Sequence, residues 1–229
     1  MSRAPFIVID GSDGSGKSTQ YARLCEHLEH ESIAYETIKF PRYNHPSEYF
    51  VDQYLHGKYG QADDIPAKRA SVFYAVDRFA ASAHITEQLA KGIVVIADRY
   101  VAANMGHQGA KMADATTRRE FFSWLDQFEY GIMGIPRPDV NIVLTISDQQ
   151  AQRNIKKRAA EGNHAPDIHE ENADFLRRSA EVYREICELF PEQYTRMDCM
   201  KTEASMLSVD IIHSEVWKII TAHMQGVKI

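Results

Sequence analysis

No apolar run in this sequence approaches the length of a membrane span, and the N-terminus carries no short apolar stretch of the secretory kind. The three cysteines, Cys25, Cys187 and Cys199, are odd in number and nowhere spaced C-x-x-C. That excludes a disulfide framework and a cysteine zinc site, and predicts a reducing, cytoplasmic setting. Repeats, low-complexity tracts and Gly/Ser linkers are missing too, so residues 1–229 are expected to form one domain with a sizeable core. Positive charge is in deficit: the formal net charge of −6 argues against a surface that wraps nucleic acid, while leaving room for a local basic pocket. Neither a nucleic acid nor a membrane is expected as a partner. What remains, 44% hydrophobic and 25% charged, is ordinary for a soluble globular chain.

What is present is concentrated in residues 6–20, FIVIDGSDGSGKSTQ. Gly11, Ser12, Asp13, Gly14, Ser15, Gly16, Lys17 and Ser18 match G-x-x-x-x-G-K-[ST] in full, and Thr19 follows. An apolar β-branched run precedes the glycines, and Tyr21, Leu24, Cys25 and Leu28 follow at helical spacing. Strand, glycine-rich turn and helix is the arrangement in which backbone N–H groups and a helix N-terminus cradle phosphates. Lys17 supplies a point charge for the β- and γ-phosphates, and the Ser18 hydroxyl is placed for Mg²⁺. The stretch reads as a nucleotide phosphate site.

Strand-like and helix-like segments alternate along the rest of the chain, the signature of an α/β domain with a parallel sheet. Strands are expected at residues 34–40, 93–97, 140–146 and 195–199, the last a short edge strand. Helices are expected at 66–91, 118–130, 148–158, 172–189 and 205–223. Five parallel strands with helices on both faces would bring Gly11, Phe40 and Asp98 to the carboxyl edge, where ligands of such sheets bind. There Asp98 can hold Mg²⁺ directly or through water, and Arg99 can bridge charged oxygens, although the same pair also fits a plain ion pair at a strand end. Phe40, Pro41, Arg42 and Tyr43 offer a cation, a phenol and aromatic surface on the same rim. Tyr74 and Arg78, four apart on one helical face, suit a planar base, yet Tyr74 taken alone fits a core position better. Arg153, Lys156, Lys157 and Arg158 precede a polar stretch that Arg177 and Arg178 follow. Such charge runs are ordinarily solvated helix faces, but here they flank a loop of suitable length for a lid, about residues 153–171.

In order and spacing, DGSDGSGKST, FPRY, YAVDR, DRYVAAN with Gln108 and Gly109, PRPD, the basic run and DIHE together resemble the thymidylate kinases, nucleoside monophosphate kinases of the P-loop class. The resemblance covers nearly the whole chain. It implies a P-loop kinase fold with a short lid, transfer of the ATP γ-phosphoryl group to dTMP with Mg²⁺, and a homodimer. It further implies that Gly11 to Ser18 hold the ATP phosphates and that Asp13 orients the acceptor near its sugar hydroxyl or the metal. Arg42, Tyr43 and Arg99 would hold the dTMP phosphate, while Tyr74 would stack on the base and Arg78 and Asn104 would bond its edge. Asp98 would act through the metal shell, Asp167 and Glu170 would close the lid, and Arg158 would be the lid cation.

The chain also departs from the family's pattern. Tyr74 stands where phenylalanine is commoner. His107 replaces a frequent tyrosine or phenylalanine, which hands discrimination against a ribose hydroxyl to other groups, among them His169. Asn154 occupies the place of a lid arginine that commonly stacks on adenine, with Arg153 one position earlier and about 100° round the helix. Gly14, where some members carry an arginine, leaves catalytic positive charge to the lid. Two other readings stay open: a P-loop kinase for a different pyrimidine nucleotide or deoxynucleoside, and a nucleotide-dependent switch. No N-K-x-D guanine signature supports the switch.

Overall fold

In the computed structural model, residues 3–61, 64–160 and 173–223 are described. The opening apolar run forms β1 (Phe6–Gly11), buried along its whole length, and α1 (Lys17–His30) follows the glycine loop. The chain continues through β2 (Tyr35–Lys39), the short α2 (Tyr49–Leu55), the 24-residue α3 (Ala67–Ala90) and β3 (Val94–Asp98). Next come α4 (Val101–Gly109), α5 (Ala115–Asp126) and a π-turn at Gln127–Ile132. Beyond these lie β4 (Val140–Thr145), α6 (Asp148–Ala160), α7 (Ala173–Leu189) and β5 (Thr195–Asp198). A hairpin of β6 (Met200–Thr202) and β7 (Ser205–Met206) leads into α8 (Val209–His223).

The first five strands form one parallel sheet in the order β2-β3-β1-β4-β5. Strand alternation sends β1 side chains to opposite faces. Phe6 and Val8 join Ile85 and Leu89 of α3, Met105 of α4, Phe122 of α5 and Tyr183 of α7. Ile7 and Ile9 join Leu24 and Leu28 of α1 and Ile212, Val216 and Ile220 of α8. Each such fully buried side chain contributes about 1.5–3 kcal/mol, and the two-sided burial explains why these strands read as continuous apolar runs.

The register pairs Ile9 and Lys39 with Asp98, and Gly11 with Leu144. The carboxyl ends of the strands therefore open on one edge, as the sequence predicts. Besides α2 and the β6–β7 hairpin, which the sequence pattern did not predict, three helices differ from expectation. Helix α4 goes unseen in the sequence because Gly106 and Gly109 interrupt its pattern. They are packing residues, since a Cβ on Gly106 would lie 2.6 Å from the Tyr183 ring of α7. The last helix starts later than expected, because residues 205 and 206 pair into the hairpin. Helix α5 begins earlier, where Asp114 accepts from the Thr117 N–H at 2.6 Å as its N-cap.

Candidate active site

The loop between β1 and α1 packs directly on α6. Gly14 has φ +78°, and a Cβ there would come within 2.8 Å of the Ala151 carbonyl oxygen, so the approach requires glycine. The Lys17 side chain folds back over the loop. Its Nζ donates to the carbonyl oxygens of Gly11 and Ser12, each at 2.8 Å, and lies 3.9 Å from Asp13. Burial, and after it the nearby Arg99 guanidinium, pushes the Lys17 pKa down to about 8.

Arg99 links the loop to the far side of the site. Its φ of +69° is a strained conformation for an arginine and turns the chain from β3 into α4. The guanidinium donates to Asp13 at 2.5 Å and to His107 Nε2 at 3.0 Å. Arginine only donates, so His107 Nε2 accepts and its ring proton sits on Nδ1. Burial pushes the Asp13 carboxyl up, but Arg99 and Lys17 outweigh it and hold it well below the usual carboxylate range. Asp98 has one oxygen 3.6 Å from Lys39 Nζ. The other, Oδ1, is buried with no hydrogen-bond partner among the described residues.

These groups open on a cavity of about 590 Å³, within the usual range for small-molecule sites. One part of its wall is Tyr74, Arg78, Asn104, His107 and Gln108. Another is Asn154, Lys157, Arg158, Met206, Leu207, Val209 and Ile212, and the phosphate loop from Asp13 through Ser18 and Thr19 lines it as well.

The thymidylate kinase profile matches residues 9–208. Thymidylate kinases of two Mycobacterium tuberculosis strains are each 31% identical over 184 residues, covering 79% of this chain and 85% of theirs. This chain belongs to the thymidylate kinase family. A solved thymidylate kinase from Candida albicans shares the fold, with a TM-score of 0.72 at 22% identity over 96% of this chain and 92% of that one.

The residues that the family resemblance assigns to the acceptor base form a buried network. Arg78 donates through Nε and Nη2 to Glu129, at 2.5 and 2.6 Å, and through Nη1 to the Tyr100 carbonyl at 3.3 Å. Asn104 Nδ2 donates to the Ser71 carbonyl at 3.2 Å and to Glu129 at 3.1 Å. With both amide hydrogens engaged, Asn104 keeps Oδ1 buried and without a partner among the described residues, at the cavity wall. Gln108 is fully buried there too, and neither amide atom has a partner among the described residues. Tyr74 meets Tyr54 edge-on, ring centroids 6.2 Å apart. Phe40, Pro41 and Tyr43 line the cavity from the β2 side.

Two expected contacts are aimed elsewhere. Arg42 is not part of the cavity wall. Its Nε donates to Asp77 at 3.0 Å and its Nη2 to Ser47 at 2.7 Å. The physical reason is Asp77, a 1% exposed carboxylate that would be an uncompensated charge without this partner. Arg153 is also off the cavity wall, with Nη1 donating to the Ala204 carbonyl at 3.2 Å. Arg158 and Lys157 line the cavity, whereas Asp167, His169, Glu170 and the rest of the expected lid from residue 161 lie outside the described residues.

Sequence reading missed three buried carboxylates. Asp10 accepts from the Gly11 N–H and the Tyr183 hydroxyl on one oxygen, at 2.9 and 3.0 Å, and from the Tyr100 and Ala103 N–H groups on the other, each at 3.0 Å. It caps α4 from another strand, and burial pushes its pKa up against the pull of Arg99 and those donors. An acid ending an apolar strand was its visible signal. Asp77 lay within the YAVDR segment but had no role assigned, and Glu129 carried no signal, because only the fold brings them to Arg42 and Arg78.

Proposed function

We propose that this chain transfers the γ-phosphoryl group of ATP to dTMP, giving ADP and dTDP. One observation carries the reading: a single cavity joins the phosphate loop to two unlike walls, one of buried amides and a guanidinium, the other of apolar side chains beside the cations Lys157 and Arg158. ATP would lie with its phosphates on the loop and its base against Met206, Leu207 and Ile212. The pyrimidine would stack on Tyr74 and give its imide N–H to Asn104 Oδ1, with Gln108 and Arg78 completing the base edge. An amide whose hydrogens are already used is an acceptor only, which favours an imide over the bare ring nitrogen of a cytosine. Asp13 would orient the acceptor sugar, and Arg99 with Tyr43 would hold its phosphate. Arg42 would act from behind, by fixing α3 through Asp77.

Little covalent chemistry is asked of the protein. The acceptor phosphate oxygen is anionic at neutral pH, since a phosphate second pKa lies near ~6, so no general base is needed. Lys17, Arg99 and Arg158 would meet the charge on the transferring group, and alignment would supply the remainder. The residues fit Mg²⁺: Asp98 Oδ1 is an acceptor without a protein partner among the described residues, and the exposed Ser18 hydroxyl lines the same cavity. When bound, the ion would supply positive charge that neutralises the phosphates. Asp13, held by Arg99, would add negative charge to the ion's surroundings. Residues 153–171 would serve as the lid of a single domain.

A homodimer is part of the proposal. Val72, Val76 and Phe79 recur at i, i+4 and i+7 on α3 and are exposed, an apolar stripe suited to a second copy. Sedimentation at micromolar concentration checks it, and a monomer would remove it. No described helix is long and apolar enough to cross a membrane, and the three cysteines are free thiols, in keeping with a reducing cytoplasm.

ADP release from ATP and Mg²⁺ against a panel of nucleoside monophosphates and deoxynucleosides tests the reaction. Turnover is expected to be strongest with dTMP. Strong turnover with a different acceptor alone would preserve the phosphate chemistry and overturn the base site.

A further inference from the structure

We infer that Asn154 is a positioning residue for phosphoryl transfer, its amide latching the helix face that carries Lys157 and Arg158 onto the phosphate loop. The inference rests on the phosphoryl-transfer reading above and deepens it. Asn154 Nδ2 donates to the Gly14 carbonyl at 2.7 Å and makes a longer contact, 3.4 Å, with Met206 Sδ. Its Oδ1 accepts from Gln150 Nε2 at 2.9 Å, which fixes which end of the amide faces the loop. Three elements meet at this one side chain: α6, the loop and the β6–β7 hairpin.

A second, independent feature points the same way. Gly14 already allows the α6 backbone to rest on the loop, so the amide closes a contact that the main chain prepares. On the outer side, the hairpin buttresses the root of α6. Ser147 Oγ donates to the Glu203 carbonyl at 3.1 Å, and Arg153 donates to the Ala204 carbonyl. Arg153 thus anchors the helix from without while Asn154 anchors it from within.

The consequence follows from helix geometry. Lys157 and Arg158 stand at i+3 and i+4 from Asn154, on the same face and one turn, ~5–6 Å, further along. Both line the cavity. A rigid helix pinned at Asn154 fixes where those two cations stand relative to phosphates on the loop. Alignment of this kind is sensitive, because a misplacement of ~1 Å can cost orders of magnitude in rate. Asn154 touches no reacting atom in this account and acts through the loop and the cations.

Asn154→Asp tests it, being isosteric while removing both donors and facing the Gly14 carbonyl with a carboxylate oxygen. Expected are a melting temperature close to wild type, a kcat lower by about tenfold, ATP affinity weaker by about fivefold, and dTMP affinity unchanged. In an Arg158→Ala background the same substitution should lower kcat much less, because both changes act on one alignment. An unchanged kcat, equal loss of ATP and dTMP affinity, or full additivity with Arg158→Ala would each overturn the latch. If the wild-type protein shows no dTMP-dependent turnover yet Asn154→Asp selectively weakens ATP binding, the loop latch stands and the acceptor assignment falls.

Discussion

The two walls of the cavity are built on opposite principles. The wall of the proposed acceptor site is buried and charged: Arg78 and Glu129, with side-chain exposures of 2% and 0%, are locked in a bidentate pair that also orients Asn104. The donor wall is half-exposed and held by single contacts, chiefly the Asn154 amide and the hairpin. Buried ion pairs cost desolvation and gain geometric definition, whereas single half-exposed hydrogen bonds contribute little to stability. The wall proposed to read the base is therefore preformed by a buried network, and the wall that carries Lys157 and Arg158 depends on a few single contacts.

The largest test of that contrast removes one buried charge. Arg78→Ala is expected to destabilise the fold by about 3–5 kcal/mol, because Glu129 is left uncompensated; thermal unfolding reads it. A variant with a normal melting temperature that lost only dTMP affinity would make the wall a recognition device alone. Next, Lys17→Ala should lower kcat at least ~100-fold, the scale of losing one preorganised charge, while the fold persists. Steady-state kinetics with near-normal turnover would remove Lys17 from the mechanism.

Gln108→Leu separates the preformed wall's two duties. Its amide lacks protein partners among the described residues, so the ligand-free protein should gain about 1 kcal/mol while dTMP affinity falls about tenfold. Loss of stability with unchanged affinity would show the amide to be structural.

The smallest effect concerns protons on the loop. Burial first, and Arg99 second, lower the Lys17 pKa to about 8 in the free protein, against ~10.4 for an ordinary lysine. Anionic phosphates favour the charged amine, so ATP binding between pH 8 and 10 should take up a fraction of a proton. Calorimetry in buffers of different ionisation enthalpy measures it, and Lys17→Ala should abolish that uptake. Uptake that persisted in the variant would assign the proton to another group.

Much of the phosphate site was legible, for a physical reason. Gly11, Gly14, Lys17 and Ser18 act through local backbone geometry and one short stretch of chain, so spacing alone encodes them. Asp98 and Arg99 were legible as a strand end, because parallel sheets bring their carboxyl edges together. Arg42 and Arg153 were less so: both are cations near the expected place, but whether such a side chain faces a ligand depends on which acceptor lies across from it. Asp77 sits 35 residues from Arg42, and Ala204 sits 51 residues from Arg153. Glu129, on a π-turn with no motif of its own, became visible only as the partner of Arg78 and Asn104.

The sequence by itself determined the α/β order, the phosphate loop and the family, since these depend on periodicity and contiguous residues. Only the tertiary structure decided which buried charges pair, which amide atoms stay without a partner among the described residues, and how Asn154 ties α6 to the loop. Those outcomes depend on neutralising groups that meet only after the sheet and its helices have closed around them.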